Sequence, residues 1–113
     1  MEKRTYLCCL LDLYGALLTP RQRSFLEQHL YEDCSLFEIA ERESITRQAV
    51  RDALVRAEKE LLETEEKLGF FKRGESILNA VRALESALAF TPNQTEAQAR
   101  MNELKELCEG YGV

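Results

Sequence analysis

Residues 35–68 read SLFEIAERESITRQAVRDALVRAEKELLETEEKL, and this stretch decides the fold. Ser35 followed by Glu38 forms a capping box: the Ser35 hydroxyl accepts from the Glu38 N–H while the Glu38 side chain reaches back to the Ser35 N–H. A short helix therefore starts at Leu36, with Leu36, Ile39 and Ala40 on one face. Glu43-Ser44-Ile45 interrupts it, and Thr46 is a second N-cap. From Arg47 nothing breaks a helix until Gly69, and Val50, Leu54, Ala57, Leu61 and Leu68 repeat at helical steps. Two helices joined by a turn of three or four residues make a helix-turn-helix whose second helix, Arg47 to Leu68, is about 33 Å long.

On the N-terminal side, Leu7, Leu10, Leu11, Tyr14, Leu17 and Leu18 form the stripe of an amphipathic helix from Lys3 to Leu18, with Gly15 permitting close packing. Thr19-Pro20-Arg21-Gln22 starts a helix from Pro20 to about Tyr31: threonine caps, proline takes the first helical position and Gln22 closes a capping box. Phe25, Leu26, His29 and Leu30 mark its inner face. On the C-terminal side, Gly69 suits a left-handed cap, with Phe70 and Phe71 as an anchor against the last turn. A helix follows from Lys72 to Phe90. Thr91-Pro92-Asn93-Gln94 repeats the earlier start signal, and a last helix runs from Pro92 to about Glu109, stopped by Gly110. Three seams share a 4-3-4 apolar step: Val50, Leu54, Ala57, Leu61; Ile77, Val81, Leu84, Leu88; and Ala97, Met101, Leu104, Cys108. The expectation is an all-α chain: an N-terminal helix-turn-helix domain over residues 1–69, and a helical extension over 70–113 packing on the long helix or on a partner subunit. Seams of this kind favour a homodimer.

The 113 residues carry 15 Lys+Arg against 20 Asp+Glu, a formal net charge of −5. Dedicated nucleic-acid binders are usually more basic, so any DNA affinity rests on charge local to one helix. Cys8, Cys9, Cys34 and Cys108 show neither CxxC spacing nor a histidine partner, which gives no zinc signature. With Asp12 interrupting the first apolar run, no signal peptide is expected, and the cysteines read as cytosolic thiols. Ser86 to Thr95, the longest uncharged run, is too short to span a bilayer. The chain is expected to be cytoplasmic, without membrane insertion.

IAERESITRQAVRDALVRAEKEL resembles the helix-turn-helix of sigma-factor region four, with Ile45 in the turn, Thr46 capping, and Gln48, Val50 and Arg51 leading the recognition helix. Residues 11–68 as a whole resemble the YlxM-like family of small DNA-binding proteins of bacteria. That resemblance implies a cytoplasmic, all-helical protein with a sigma-like helix-turn-helix. The family's genes tend to lie beside those of signal recognition particle components, which implies a regulatory link to that pathway.

The candidate DNA-binding residues are Ser35, Thr46, Arg47, Gln48, Arg51, Arg56 and Lys59. Arg47, Gln48 and Arg51 project away from the Val50, Leu54 and Ala57 stripe, where arginine can pair with guanine and glutamine with adenine. Ser35 and Thr46 are placed to donate to phosphates, with Arg56 and Lys59 as backbone contacts. Asp52 shares their face, where it would repel phosphate or accept from cytosine. A solvated polar face on a scaffold helix is the competing reading. His29 reads as a core or boundary residue, and Glu63, Glu65 and Glu66 as a solvated face in which Lys59 and Lys67 each lie four positions from Glu63. No cofactor, metal or catalytic constellation is indicated, so an enzyme is not expected. Two functions stay open: a DNA-binding regulator, or a module that binds a protein or ribonucleoprotein such as signal recognition particle components.

Overall fold

The computed structural model describes residues 1–90 and 94–109 and contains six α-helices and, among the described residues, no strand. They are α1 (Lys3–Tyr14), α2 (Pro20–Leu26), α3 (Leu36–Glu43), α4 (Arg47–Leu68), α5 (Phe70–Phe90) and α6 (Gln94–Glu109). The chain divides into two compact units, Met1–Gly69 and Phe70–Val113.

In the first unit α4 is the central member, with α1, α2 and α3 all packed against it. Val50, Leu54, Ala57 and Leu61 are buried along its inner face. Around them close Leu7, Leu10, Leu11 and Tyr14 of α1, Phe25 and Leu26 of α2, and Ile39 and Ala40 of α3. Burying a leucine such as Leu61 contributes about 1.5–3 kcal/mol, so this stripe carries much of the unit's stability. The stripe ends there, because Leu68 is 42% exposed. One turn beyond Leu61 the link to α1 becomes polar: the hydroxyl of buried Tyr14 donates to Glu65 Oε1 at 2.6 Å.

The expected capping boxes form at Thr19/Gln22 and Ser35/Glu38, and Thr46 caps α4 by accepting from the Ala49 N–H. The turn between α3 and α4 is a Schellman motif: Ile45 N–H donates to Ala40 O at 3.1 Å and Ser44 N–H to Glu41 O. It puts Ser44 at φ +56°, left-handed backbone that costs an L-residue roughly 1–2 kcal/mol. Gly69 ends α4 with φ +66° and its N–H on Glu65 O.

Other expectations are corrected. The first helix does not run unbroken to Leu18: it leaves α geometry at Tyr14, and Gly15–Leu17 form a 3₁₀ turn. The tighter winding rotates Leu17 outward to 65% exposure while Leu18 stays buried. Gly15 is buried, with Leu11 Cδ1 and Arg23 Nε 3.4 and 3.5 Å from where a Cβ would sit. The helix begun by α2 reaches Tyr31, but its last turn, Glu27–Tyr31, is a π turn, closed by Glu32 N–H on Glu27 O at 3.1 Å. Asp33 follows at φ +58°. Arg4 stabilises this end: one guanidinium nitrogen donates to His29 O, Leu30 O and Asp33 Oδ1.

In the second unit α5 and α6 pack on each other. Phe70 and Phe71 open α5 instead of preceding it, two residues earlier than expected. The buried line of α5 passes through Ala80 and Ala87, whereas Leu78, Val81 and Leu88 are exposed. Ile77 and Leu84 of the expected seam are half-buried, and Leu84 and Leu88 line a surface cleft with Ala97, Gln98 and Met101 of α6. Met101 of α6 is likewise 39% exposed. The start signal at Thr91 to Asn93 and the stop at Gly110 lie outside the described residues.

Two stability measurements test this account. Ser44→Gly removes the left-handed penalty and is expected to stabilise the protein by about 0.5–1 kcal/mol in urea denaturation. A destabilised variant would mean that the turn is held by the serine side chain. Tyr14→Phe leaves the core filled but strips Glu65 of a charge-assisted bond, and is expected to cost about 2 kcal/mol.

Candidate nucleic-acid interface

Because the inner face of α4 is consumed by the core, its outer face is open from the first turn onward. Arg47, Gln48, Arg51, Asp52, Arg56 and Lys59 are all exposed. Six of the seven candidate residues are thus gathered on α4 and its cap: Thr46, Arg47, Gln48, Arg51, Arg56 and Lys59. Ser35 is set apart from them, at the far end of α3 and about 12 Å along that helix from the turn. The Ser35 and Thr46 oxygens each accept a backbone N–H, at 3.1 and 3.0 Å, which leaves their hydroxyl hydrogens free to donate outward. Beside Ser35, however, the Glu38 carboxylate holds the cap, and a negative group there disfavours a phosphate.

Among the described residues, the Arg47, Arg51 and Arg56 guanidinium groups have no ion-pair partner. Lys59 pairs loosely with Glu63, at 3.8 Å and largely in solvent, a contact worth little and easily exchanged for a phosphate. Gln48 Nε2 donates to Asp52 Oδ1 at 2.9 Å. The outer face therefore offers four cations, one amide and one carboxylate that is already engaged.

Two contributors were not singled out from sequence. A surface cleft between the start of α2 and the side of α4 is lined by Thr19, Arg21, Gln22, Ala49, Asp52, Ala53 and Arg56. It brings Arg21 beside the α4 cations, its guanidinium 5.2 Å from the centre of the Phe25 ring. The only trace of this in sequence is the basic pair in Thr-Pro-Arg-Gln-Arg, and Arg23 of that pair is turned to Glu27 at 2.9 Å. Val55 is the second, 56% exposed in the middle of the outer face.

What aims α4 is a polar node behind the turn. Buried Gln28 donates from Nε2 to Ser24 Oγ and Glu43 Oε1 and accepts from Arg42 Nη1 at 3.0 Å. Arg42 also approaches Glu32 and the sulfur of buried Cys34, and His29 Nδ1 lies 3.0 Å from Cys34 O. These bonds tie the last two residues of α3 to the π turn, so the turn leaves α3 in a set direction. Nearby, Tyr31 donates to Asp12, and burial first, then this bond, raises its hydroxyl above the ordinary tyrosine range. His29 is half-buried and used in structure, and all four cysteines are free thiols. Among the described residues no group of three or more His, Cys, Asp or Glu is arranged to hold a metal, and no helix is long and apolar enough to cross a membrane.

Comparison with known proteins supplies the family. Residues 1–104 match the family model described as "UPF0122: Putative helix-turn-helix protein, YlxM / p13 like". A UPF0122 protein of Desulforamulus reducens is 48% identical over 78 residues, covering 66% of this chain and 67% of that protein. Relatives from Bacillus licheniformis and Bacillus pumilus are 38% and 35% identical over 110 and 107 residues, each covering 95% of this chain and 97% of theirs. An all-α chain with two capped helices joined by a left-handed turn, matched over most of its length, belongs to the YlxM/p13-like UPF0122 family of helix-turn-helix proteins.

Proposed function

We propose that this protein binds duplex DNA with the outer face of α4 laid in the major groove, as a small cytoplasmic regulator. The observation that carries the reading is the division of α4 into a fully buried apolar stripe and an exposed row of Arg47, Gln48, Arg51, Arg56 and Lys59. Arg51 and Gln48 supply base-edge chemistry. Arg47, Arg56, Lys59 and the Thr46 hydroxyl contact the backbone. A homodimer formed through the second unit would present two such helices to two half-sites. The exposed Leu78, Val81 and Leu88 of α5 support that pairing. They equally favour a second reading, in which the helix-turn-helix is a scaffold and the protein binds a protein or ribonucleoprotein. The pathway association of the family points that reading toward signal recognition particle components. Neither reading requires a cofactor or a catalytic step.

Fluorescence anisotropy against labelled genomic fragments, from 50 to 200 mM salt, separates the two. Binding that selects a subset of fragments is expected, with affinity for those fragments falling by about tenfold or more in the Arg47→Ala, Arg51→Ala double variant. Absent binding, or weak binding equal in both proteins, would leave the scaffold reading standing. Light scattering checks the assembly separately: a mass of two chains is expected at micromolar concentration, and a single-chain mass throughout would refute the dimer.

A further inference from the structure

The outermost row of α4 is not its arginines. At about 100° per residue, the positions most nearly opposite Val50, Leu54, Ala57 and Leu61 are Gln48, Asp52 and Lys59, with Val55 and Arg51 on one flank, Arg56 on the other, and Arg47 closer to the buried side. A helix entering the major groove presents its outermost row to the base edges and its flanks to the two phosphate strands. Gln48 is the first residue of that row, and it is not a freely rotating amide, because it donates to Asp52 Oδ1 at 2.9 Å.

The chemistry of that bond fixes which way round the amide stands. An ionised carboxylate only accepts, so the atom facing Asp52 must be the amide nitrogen. Gln48 is then left with a carbonyl oxygen and one N–H: one acceptor and one donor in a plane. Adenine is the base whose major-groove edge complements that pair, through its N6 amino group and N7. Guanine offers two acceptors there, and thymine an acceptor and a methyl group. We infer that Gln48 is an adenine reader and that Asp52 is its positioning residue, holding the amide in the one orientation that matches adenine. This rests on the DNA-binding reading above and deepens it. It also gives a reason for an acidic side chain in the middle of a face meant for DNA: Asp52 weakens attraction to phosphate in general and sharpens the choice of one base.

The test is selection of binding sites from a randomised duplex by the full chain and by Gln48→Ala, Asp52→Ala and Asp52→Asn. Affinities are then measured for each base, and for 7-deazaadenine, at the position that depends on Gln48. Wild type is expected to prefer adenine there by between about fivefold and a hundredfold. Gln48→Ala should lose that preference at that position alone. The 7-deaza base should weaken wild type and leave Gln48→Ala unaffected. Asp52→Ala should bind every sequence more tightly, having lost a charge that repels phosphate, yet discriminate less at this position. Asp52→Asn should keep the discrimination, because its carbonyl still accepts from the Gln48 amide. Both side chains are exposed, so circular dichroism should show unchanged helicity in all variants. A selected site whose adenine preference survives Gln48→Ala, or whose discrimination is unchanged in Asp52→Ala, overturns the inference and leaves DNA reading intact. No selected site at all overturns both.

Discussion

One helix can bury one stripe, and the first unit is organised around how α4 uses that constraint. Three helices are satisfied by Val50, Leu54, Ala57 and Leu61, all on its inner side. On its outer side Gln48, Arg51, Asp52, Arg56 and Lys59 are exposed, so the residues there are free of the core and free to be polar. The stripe also fixes the rotation of α4 about its own axis to within a fraction of a turn, since a rotation of one residue position would bring Arg51 and Glu58, or Arg56 and Glu60, into the core at a cost of several kcal/mol. The packing that makes the fold thereby decides which side chains meet a ligand.

Rotation is one of two angles that matter; the other is the direction in which α4 leaves the turn. Here local backbone and a buried polar node act together. Ser44 holds a left-handed conformation that only surrounding structure can impose. Gln28, with donor and acceptor both engaged at the end of α3, supplies part of that constraint. No buried side-chain nitrogen or oxygen among the described residues lacks a partner. A satisfied node of this kind is rigid, because any tilt of α3 would leave a buried amide unpaired.

The helices and their starts were legible in sequence because caps and apolar spacing are local signals. Ser35/Glu38, Thr19/Gln22, Thr46 and Gly69 each act within four residues, and each forms as expected. Departures within helices were not legible. Leu17 satisfies the period but not the backbone, because the break at Tyr14 is invisible to spacing. The π turn at Glu27–Tyr31 depends on Arg4, more than twenty residues away, and the Tyr14 to Glu65 bond spans 51 positions. In α5 the period marked Ile77, Val81, Leu84 and Leu88, of which Ile77 and Leu84 are half-buried, whereas the most buried positions are Ala80 and Ala87. The exposed face of α4 was legible from its complement, the stripe. The bond between Gln48 and Asp52 was not, because i to i+4 spacing allows it without requiring it.

Charge distribution reconciles an acidic chain with the DNA contact proposed for α4. From Arg47 to Lys59 there are four cations against two acidic side chains, whereas α3 alone carries Glu38, Glu41 and Glu43 against Arg42. A duplex approaching the front of α4 is attracted there and repelled along α3, which narrows the orientations it can adopt. On the proposed reading few phosphates would be neutralised per chain, so each chain would gain little from counterion release, and non-specific binding at physiological salt would be correspondingly weak. Under that condition base contacts carry a larger share of the affinity than in a strongly basic protein. In the proposed homodimer, two chains on two half-sites would sum their contacts, while non-specific attraction would stay low for each. On that reading, net acidity would raise the ratio of specific to non-specific binding at the expense of overall strength, which a paired arrangement would recover.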